Sequence, residues 1–99
     1  NGYQSMQLKI VQGTDATTVL VSGKLNTVTA PDFDRQVARI PDNATVRIDV
    51  SGLEFISSAG IRSVLAMHQR MDGRVKVVNA TGLVREVFEI SQILDLLEE

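Results

Sequence analysis

The apolar residues of this chain change their spacing across one short break, and that change restricts the folds open to it. Val46, Ile48 and Val50 alternate with Arg47 and Asp49, the period of a half-buried strand, and a turn signal follows at Ser51-Gly52. Beyond Phe55-Ile56-Ser57-Ser58-Ala59-Gly60, the residues Ile61, Val64, Leu65, His68 and Met71 recur at helical spacing until Asp72-Gly73 stops them. The stretch Phe55 to Arg62, FISSAGIR, is therefore a strand-to-helix turn. It carries two adjacent hydroxyls and then two small residues.

The flanking segments extend the same alternation of elements. Leu8 and Ile10, then Val19 and Val21, alternate with polar residues on either side of Gly13-Thr14-Asp15-Ala16, which predicts a β-hairpin. Thr29 is placed to cap a short amphipathic helix with Pro31 in its first turn, Asp32 three residues after the cap, and Phe33, Val37 and Ile40 on one face. Pro41-Asp42-Asn43 ends it. Val75-Lys76-Val77-Val78 reads as a buried strand, and Leu83, Val87 and Ile90, with Val84 and Phe88 between them, as a further helix. A last helical piece is expected over Gln92 to Glu98, capped by Ser91. Together these predict an α/β domain whose mixed β-sheet of about four to five strands packs with about three to four α-helices.

At 99 residues the chain can bury one core but not two, so residues 6–99 form one domain. Asn1 to Ser5 lacks an initiator Met and the charged and apolar regions of a signal peptide; it reads as a remnant or a disordered N-terminus ahead of Met6. The net charge of −2 comes from scattered residues without a basic block, which argues against nucleic-acid binding. With no cysteine there is no disulfide frame or thiolate metal site, and no apolar run approaches the ~20 residues of a membrane span. A cytoplasmic setting without membrane insertion is expected. Exposed apolar residues such as Met67 would allow a weak homodimer beside the monomer.

A serine on a strand-to-helix turn is how hydrolases expose a nucleophile, but the chemistry needs a base within hydrogen-bond reach. The one histidine, His68, lies about ten residues further along the helix, roughly 15 Å away, and belongs to its apolar stripe. One His, no Cys and dispersed carboxylates also offer no metal cluster, and Ala59-Gly60 lacks the Lys and glycine spacing of a phosphate loop. No enzymatic activity, metal or cofactor is expected. Ser57 or Ser58 would cap the helix, a role that accounts for one hydroxyl. Ala59 and Gly60 leave the first turn nearly bare, open to close approach by another protein, and a helix start tolerates an added phosphate.

In this context Asp49-Val50-Ser51-Gly52 followed by FISSAGIR resembles the signature of STAS domains, in particular of bacterial anti-sigma factor antagonists. Gly23-Lys24-Leu25-Asn26-Thr27-Val28-Thr29 is similar to the family's Gly-x-Leu-Asp-x-x-Thr segment, and Arg85-Glu86-Val87-Phe88-Glu89-Ile90-Ser91 resembles its C-terminal helix. The resemblance runs from about Leu8 to Leu97. It implies a phosphorylation-controlled partner switch: the unphosphorylated protein binds an anti-sigma factor serine kinase, phosphorylation releases it, and a metal-dependent serine phosphatase resets the cycle. The family's modified serine aligns with Ser58, with Ser57 as second choice. Two departures are Ser57 and Asn26, each standing where the family usually has Asp. Both remove a negative charge and keep hydrogen-bonding capacity.

The resemblance further implies a docking surface of Lys24, Asn26, Thr27, Ser57, Ser58, Ala59, Gly60, Arg62, Ser63, Ala66 and Gln69, with Arg70 on the same flank. The competing expectation is a STAS domain used as a constitutive interaction module, such as a soluble subunit of a membrane transport assembly. There phosphorylation would be incidental.

Overall fold

A computed structural model describes residues 5–90 and 96–98. The chain begins with β1 (Met6–Gln12) and β2 (Thr17–Leu25), continues through α1 (Ala30–Val37), β3 (Val46–Ile56), α2 (Ser58–Arg70), β4 (Val75–Val78) and α3 (Gly82–Ile90), and closes with β5 (Leu97–Glu98). One five-stranded sheet has the order β1-β2-β3-β4-β5. The hairpin pair is antiparallel and every later pair is parallel, as helical crossovers require. The α/β class, the hairpin and the strand count agree with the sequence reading.

One sheet face supplies Val19, Val21, Leu25, Val46, Ile48, Val50, Val75 and Val77 to a single core shared with Phe33, Val64, Met67, Val84 and Phe88 of the helices. The alternation of β2 and β3 produces this: Leu20, Arg47 and Ser51 point the other way and stay exposed. On that open face Asp49 accepts from the Ser51 N–H at 2.9 Å and the Asn79 amide at 3.2 Å. Burial would raise the pKa of Asp49, but these bonds and the Arg47 charge outweigh it and hold the carboxyl below its ordinary value. Its contribution to stability is therefore complete at neutral pH and is lost as the pH falls through that lowered value.

Strand β3 does not stop at Ser51-Gly52. It continues to Ile56, with Ser22 opposite Gly52, Lys24 opposite Phe55 and Leu25 opposite Ile56, across register shifts between Leu20 and Ser22 and between Gly23 and Lys24. Gly23 sits in the shift at φ 85°, a left-handed conformation that explains a glycine inside a strand. The Lys24 N–H bonds to the Ser5 carbonyl at 3.0 Å, so Ser5, set apart by the sequence reading, takes part in the fold.

Phe33 and Val37 of α1 with Ile40 just beyond it, and Ile61 and Val64 of α2 with Met71 at its end, are buried as the spacing predicts, but the margins of the α2 and α3 faces differ. On α2 the inward residues are Gly60, Ile61, Ser63, Val64 and Met67, whereas Leu65 is 37% exposed. Packing against α1 as well as the sheet turns the helix toward Met67, which is buried and offers nothing to a dimer. On α3, Val84 and Phe88 face the core while Leu83 and Ile90 are exposed. At the C-terminus Leu97 pairs with Val77 and Glu98 with Val78 as a strand, in place of the expected helix end. The proposed cap Ser91 and residues 92–95 lie outside the described residues.

Arg70 is also not free docking surface. Its guanidinium donates to the Ile40 carbonyl at 2.8 Å, the Val37 carbonyl at 3.0 Å and the Asp42 carboxylate at 2.6 Å, fastening the end of α2 to the end of α1. Arg70→Met should cost about 1–2 kcal/mol because the last carbonyl of α1, that of Val37, and the Ile40 carbonyl just beyond it lose a charged donor. Thermal melting should show a fall of roughly 5–15 °C, against almost none for an ordinary surface arginine.

Candidate functional site

The Ser57-Ser58 turn is held at both ends. Ser57 donates its N–H to the Leu25 carbonyl at 2.9 Å, the last bond joining the ends of β2 and β3. Its own carbonyl accepts from Ile61 N–H at 2.9 Å, and its hydroxyl accepts from Gly60 N–H at 3.4 Å, so Ser57 is the N-cap of α2 with extended backbone angles of φ −99° and ψ 177°. Ser58 is the first helical residue. Its side chain is exposed and has no hydrogen-bond partner among the described residues. The two hydroxyls thus divide into one that caps and one that is free.

Gly60 has a different purpose from the one its position in the sequence suggests. It is buried, and a Cβ there would meet Ile56 Cγ1 at 2.7 Å, the Leu25 carbonyl oxygen at 2.8 Å and Leu25 Cγ at 2.9 Å. The bare side of the first turn faces the sheet ends and not an incoming protein; the glycine lets α2 rest directly on β2 and β3. Ala59 is half-buried and packs against the same core.

Beside this turn the segment from Lys24 to Thr29 folds on itself. The Asn26 side-chain oxygen accepts from Val28 N–H at 3.0 Å and Thr29 N–H at 3.1 Å, while the Asn26 carbonyl accepts from Ala30 N–H at 2.8 Å. Thr29 occupies the cap position of α1 but makes no side-chain cap bond. Its hydroxyl is buried, donating to the Lys24 carbonyl at 2.7 Å and accepting from Asn26 N–H at 3.0 Å. Asn26 thus does not cap the helix itself but closes the turn that leads into α1, a task for which an amide oxygen serves as well as a carboxylate.

Of the expected docking residues, Lys24, Asn26, Thr27, Ser57, Ser58 and Ala59 come together at the sheet end where β2 and β3 finish. Ser58, Arg62, Leu65 and Gln69 form an exposed stripe along α2 at spacings of four, three and four. Leu65, assigned by the sequence to the core, belongs to this stripe. Between α1 and α2 runs a groove of about 310 Å³ lined by Thr27, Ala30, Pro31 and Asp34 on one side and Ala59, Arg62, Ser63 and Ala66 on the other. Ser63 is only 6% exposed and forms the groove's floor, which corrects its expected place on the exposed flank. Val28, 65% exposed beside Thr27, is an apolar residue that the sequence reading left out. No periodic pattern marks it, because it lies in the turn.

His68 is half-buried about two to three turns beyond Ser58. Among the described residues no three His, Asp or Glu side chains gather as a metal site, and no helix is long and apolar enough to cross a membrane.

The comparisons with known proteins agree with this geometry. The family model described as "Mlab, STAS domain" matches residues 9–98. "Putative anti-sigma factor antagonist BtrV" of Bordetella bronchiseptica is 32% identical over 81 residues, covering 77% of this chain and 70% of that protein. In structure, an anti-sigma factor antagonist from Mycobacterium paratuberculosis superposes with a TM-score of 0.83 at 23% identity, over 94% of this chain and 83% of the other. The unphosphorylated form of the antagonist SpoIIAA gives 0.75 at 17% identity over 93% and 86%. The phosphorylated Bacillus form gives 0.65 at 19% over 95% and 89%. At those identities the superpositions speak for the fold alone, whereas the family match spans nearly the whole chain. The protein belongs to the STAS domain family, with anti-sigma factor antagonists among its relatives in sequence and in fold.

Proposed function

We propose that this protein is an anti-sigma factor antagonist that works in the cytoplasm as a partner switch controlled by phosphorylation of Ser58. The observation that carries the reading is the division between the two hydroxyls: Ser57 is committed to the cap, and Ser58 stands free at the start of α2. The unmodified chain docks on an anti-sigma factor serine kinase through the sheet end from Lys24 to Thr27, the Ser58 turn and the exposed stripe of α2. The Bacillus relative SpoIIAA, solved with and without its phosphate, supports a modification compatible with this fold.

The chain supplies a nucleophile and its setting, and the kinase supplies the catalysis. The Ser58 oxygen forms a bond to the terminal phosphorus of ATP as the bond to ADP breaks, and the hydroxyl proton passes to a base of the kinase. A metal-dependent serine phosphatase returns the hydroxyl. The phosphate is tolerated in the free protein because a negative group in the first turn of a helix is favourable by about 0.3–1 kcal/mol. In the complex it is not: a dianion caught at an interface without a partner costs several kcal/mol, and ~2.7 kcal/mol already weakens binding 100-fold.

Ser58→Asp should lower affinity for the partner at least about tenfold, near 1.4 kcal/mol, with little change in melting temperature. Ser58→Ala should bind and resist being switched off. The deciding experiment is capture from lysate of the source organism on immobilised wild type and Ser58→Asp. A serine kinase held by wild type and lost from the variant is the expected result. The same partners on both, transporter subunits above all, would identify a constitutive module instead.

A further inference from the structure

Ser58 and Arg62 stand one helical turn apart on the exposed stripe of α2, and neither side chain has a hydrogen-bond or ion-pair partner among the described residues. Side chains at this spacing have Cβ atoms about 5–6 Å apart, and an acid preceding a base by four residues is the favourable order along a helix. We infer that a phosphate on Ser58 is held by the Arg62 guanidinium of the same helix, so that modification occupies the cation which the unmodified chain presents to solvent. The inference rests on the reading of Ser58 as the modified residue.

The surrounding charges favour this pairing. Ser57 and Asn26, which stand in the two segments of the turn where an Asp is usual, are neutral, and no carboxylate pairs with Arg62 among the described residues. Lys24, at the end of β2, has the same sign as Arg62 and strengthens the attraction for a phosphate. The competitor is Asp34 of α1, which lines the far side of the groove that Arg62 also lines. It offers a single charge, whereas a phosphoserine offers about −1.5 to −2 and three acceptor oxygens. A guanidinium presents paired donors that match two such oxygens at once, which a lysine cannot do. Through this pairing the phosphate removes two features from the docking stripe together, the free hydroxyl and the free cation.

The test installs phosphoserine at position 58 during synthesis of the full chain, so no kinase is needed, and follows the phosphate's second ionisation by phosphorus NMR. A neighbouring cation favours the dianion and lowers its pKa. The wild-type background should therefore bind that proton about threefold more weakly than Arg62→Ala, with Arg62→Lys between them and the difference shrinking near 1 M salt. Identical titrations in wild type and Arg62→Ala overturn the inference. Partner release with coincident titrations would leave the switch standing and reject the clamp. Distinct titrations with undiminished partner binding would keep the clamp and reject the switch.

Discussion

Gly60→Val will prevent the domain from folding normally, and Gly60→Ala will destabilise it by about 1–3 kcal/mol even though alanine is the better helix former by ~1 kcal/mol. The reason lies in the three atoms around the missing side chain. A Cβ would lie 2.8 Å from the Leu25 carbonyl oxygen, which already accepts the Ser57 N–H, so this atom cannot retreat without opening the join between β2 and β3. Ile56 Cγ1 and Leu25 Cγ, at 2.7 and 2.9 Å, belong to side chains only 1% exposed and have no space to move into. Relief would have to come from lifting the first turn of α2, which carries both serines. Urea denaturation of Gly60→Ala should show a lower midpoint, and the amide signals of Ser57 and Ser58 should shift most. An alanine variant as stable as wild type would mean that the helix start is not pressed against the strands in the way described.

Phe88→Ala should cost about 3–5 kcal/mol, a large part of the stability of a domain this size. Phe88 is 0% exposed and, with Val84, anchors α3 to the core, whereas Leu83 and Ile90 are 62% and 78% exposed. Removing the ring leaves a cavity that the neighbouring strands, fixed in register, cannot close. Leu83→Ala and Ile90→Ala should each stay within about 0.5 kcal/mol of wild type. Equilibrium unfolding of the three variants side by side decides the matter: equal losses would return Leu83 and Ile90 to the core, where helical spacing alone had placed them.

That contrast shows what the sequence could and could not disclose. Period-two alternation located three strands because an open sheet has one wet and one dry face, and Val46, Ile48 and Val50 register it directly; the fourth, Val75 to Val78, showed as a short β-branched run. Helical spacing located α2 and α3 and the centre of each buried face, but not its margins. Leu65 and Met67 are both apolar, and it is the neighbouring α1, against Met67, that buries one while the other stays exposed. Strand β5 escaped notice since two residues carry no period. In the turn, Ser57 and Ser58 were equally able to cap. The distinction arose from which of them follows Ile56, the last residue paired with β2. Gly60 and Thr29 were visible as motif residues, yet their reasons lie in contacts from other segments: the carbonyl of Leu25 against one, and that of Lys24 on the other.

The sheet order repeats the chain order, so each strand joins the one made just before it. No later segment has to be threaded between strands already paired, and each closure spans only a hairpin or a single crossover. Mixed α/β domains paired across such crossovers fold at intermediate rates, and pairing can follow synthesis from the N-terminus. The β2–β3 pair can thus form before α3 and β5 are made, but Phe88, Leu96 and Leu97 belong to its core, so the pair and the Ser58 turn become stable only when those elements dock. The C-terminal elements thereby set when in synthesis the Ser58 turn takes its final form, although they lie at the far end of the sheet order.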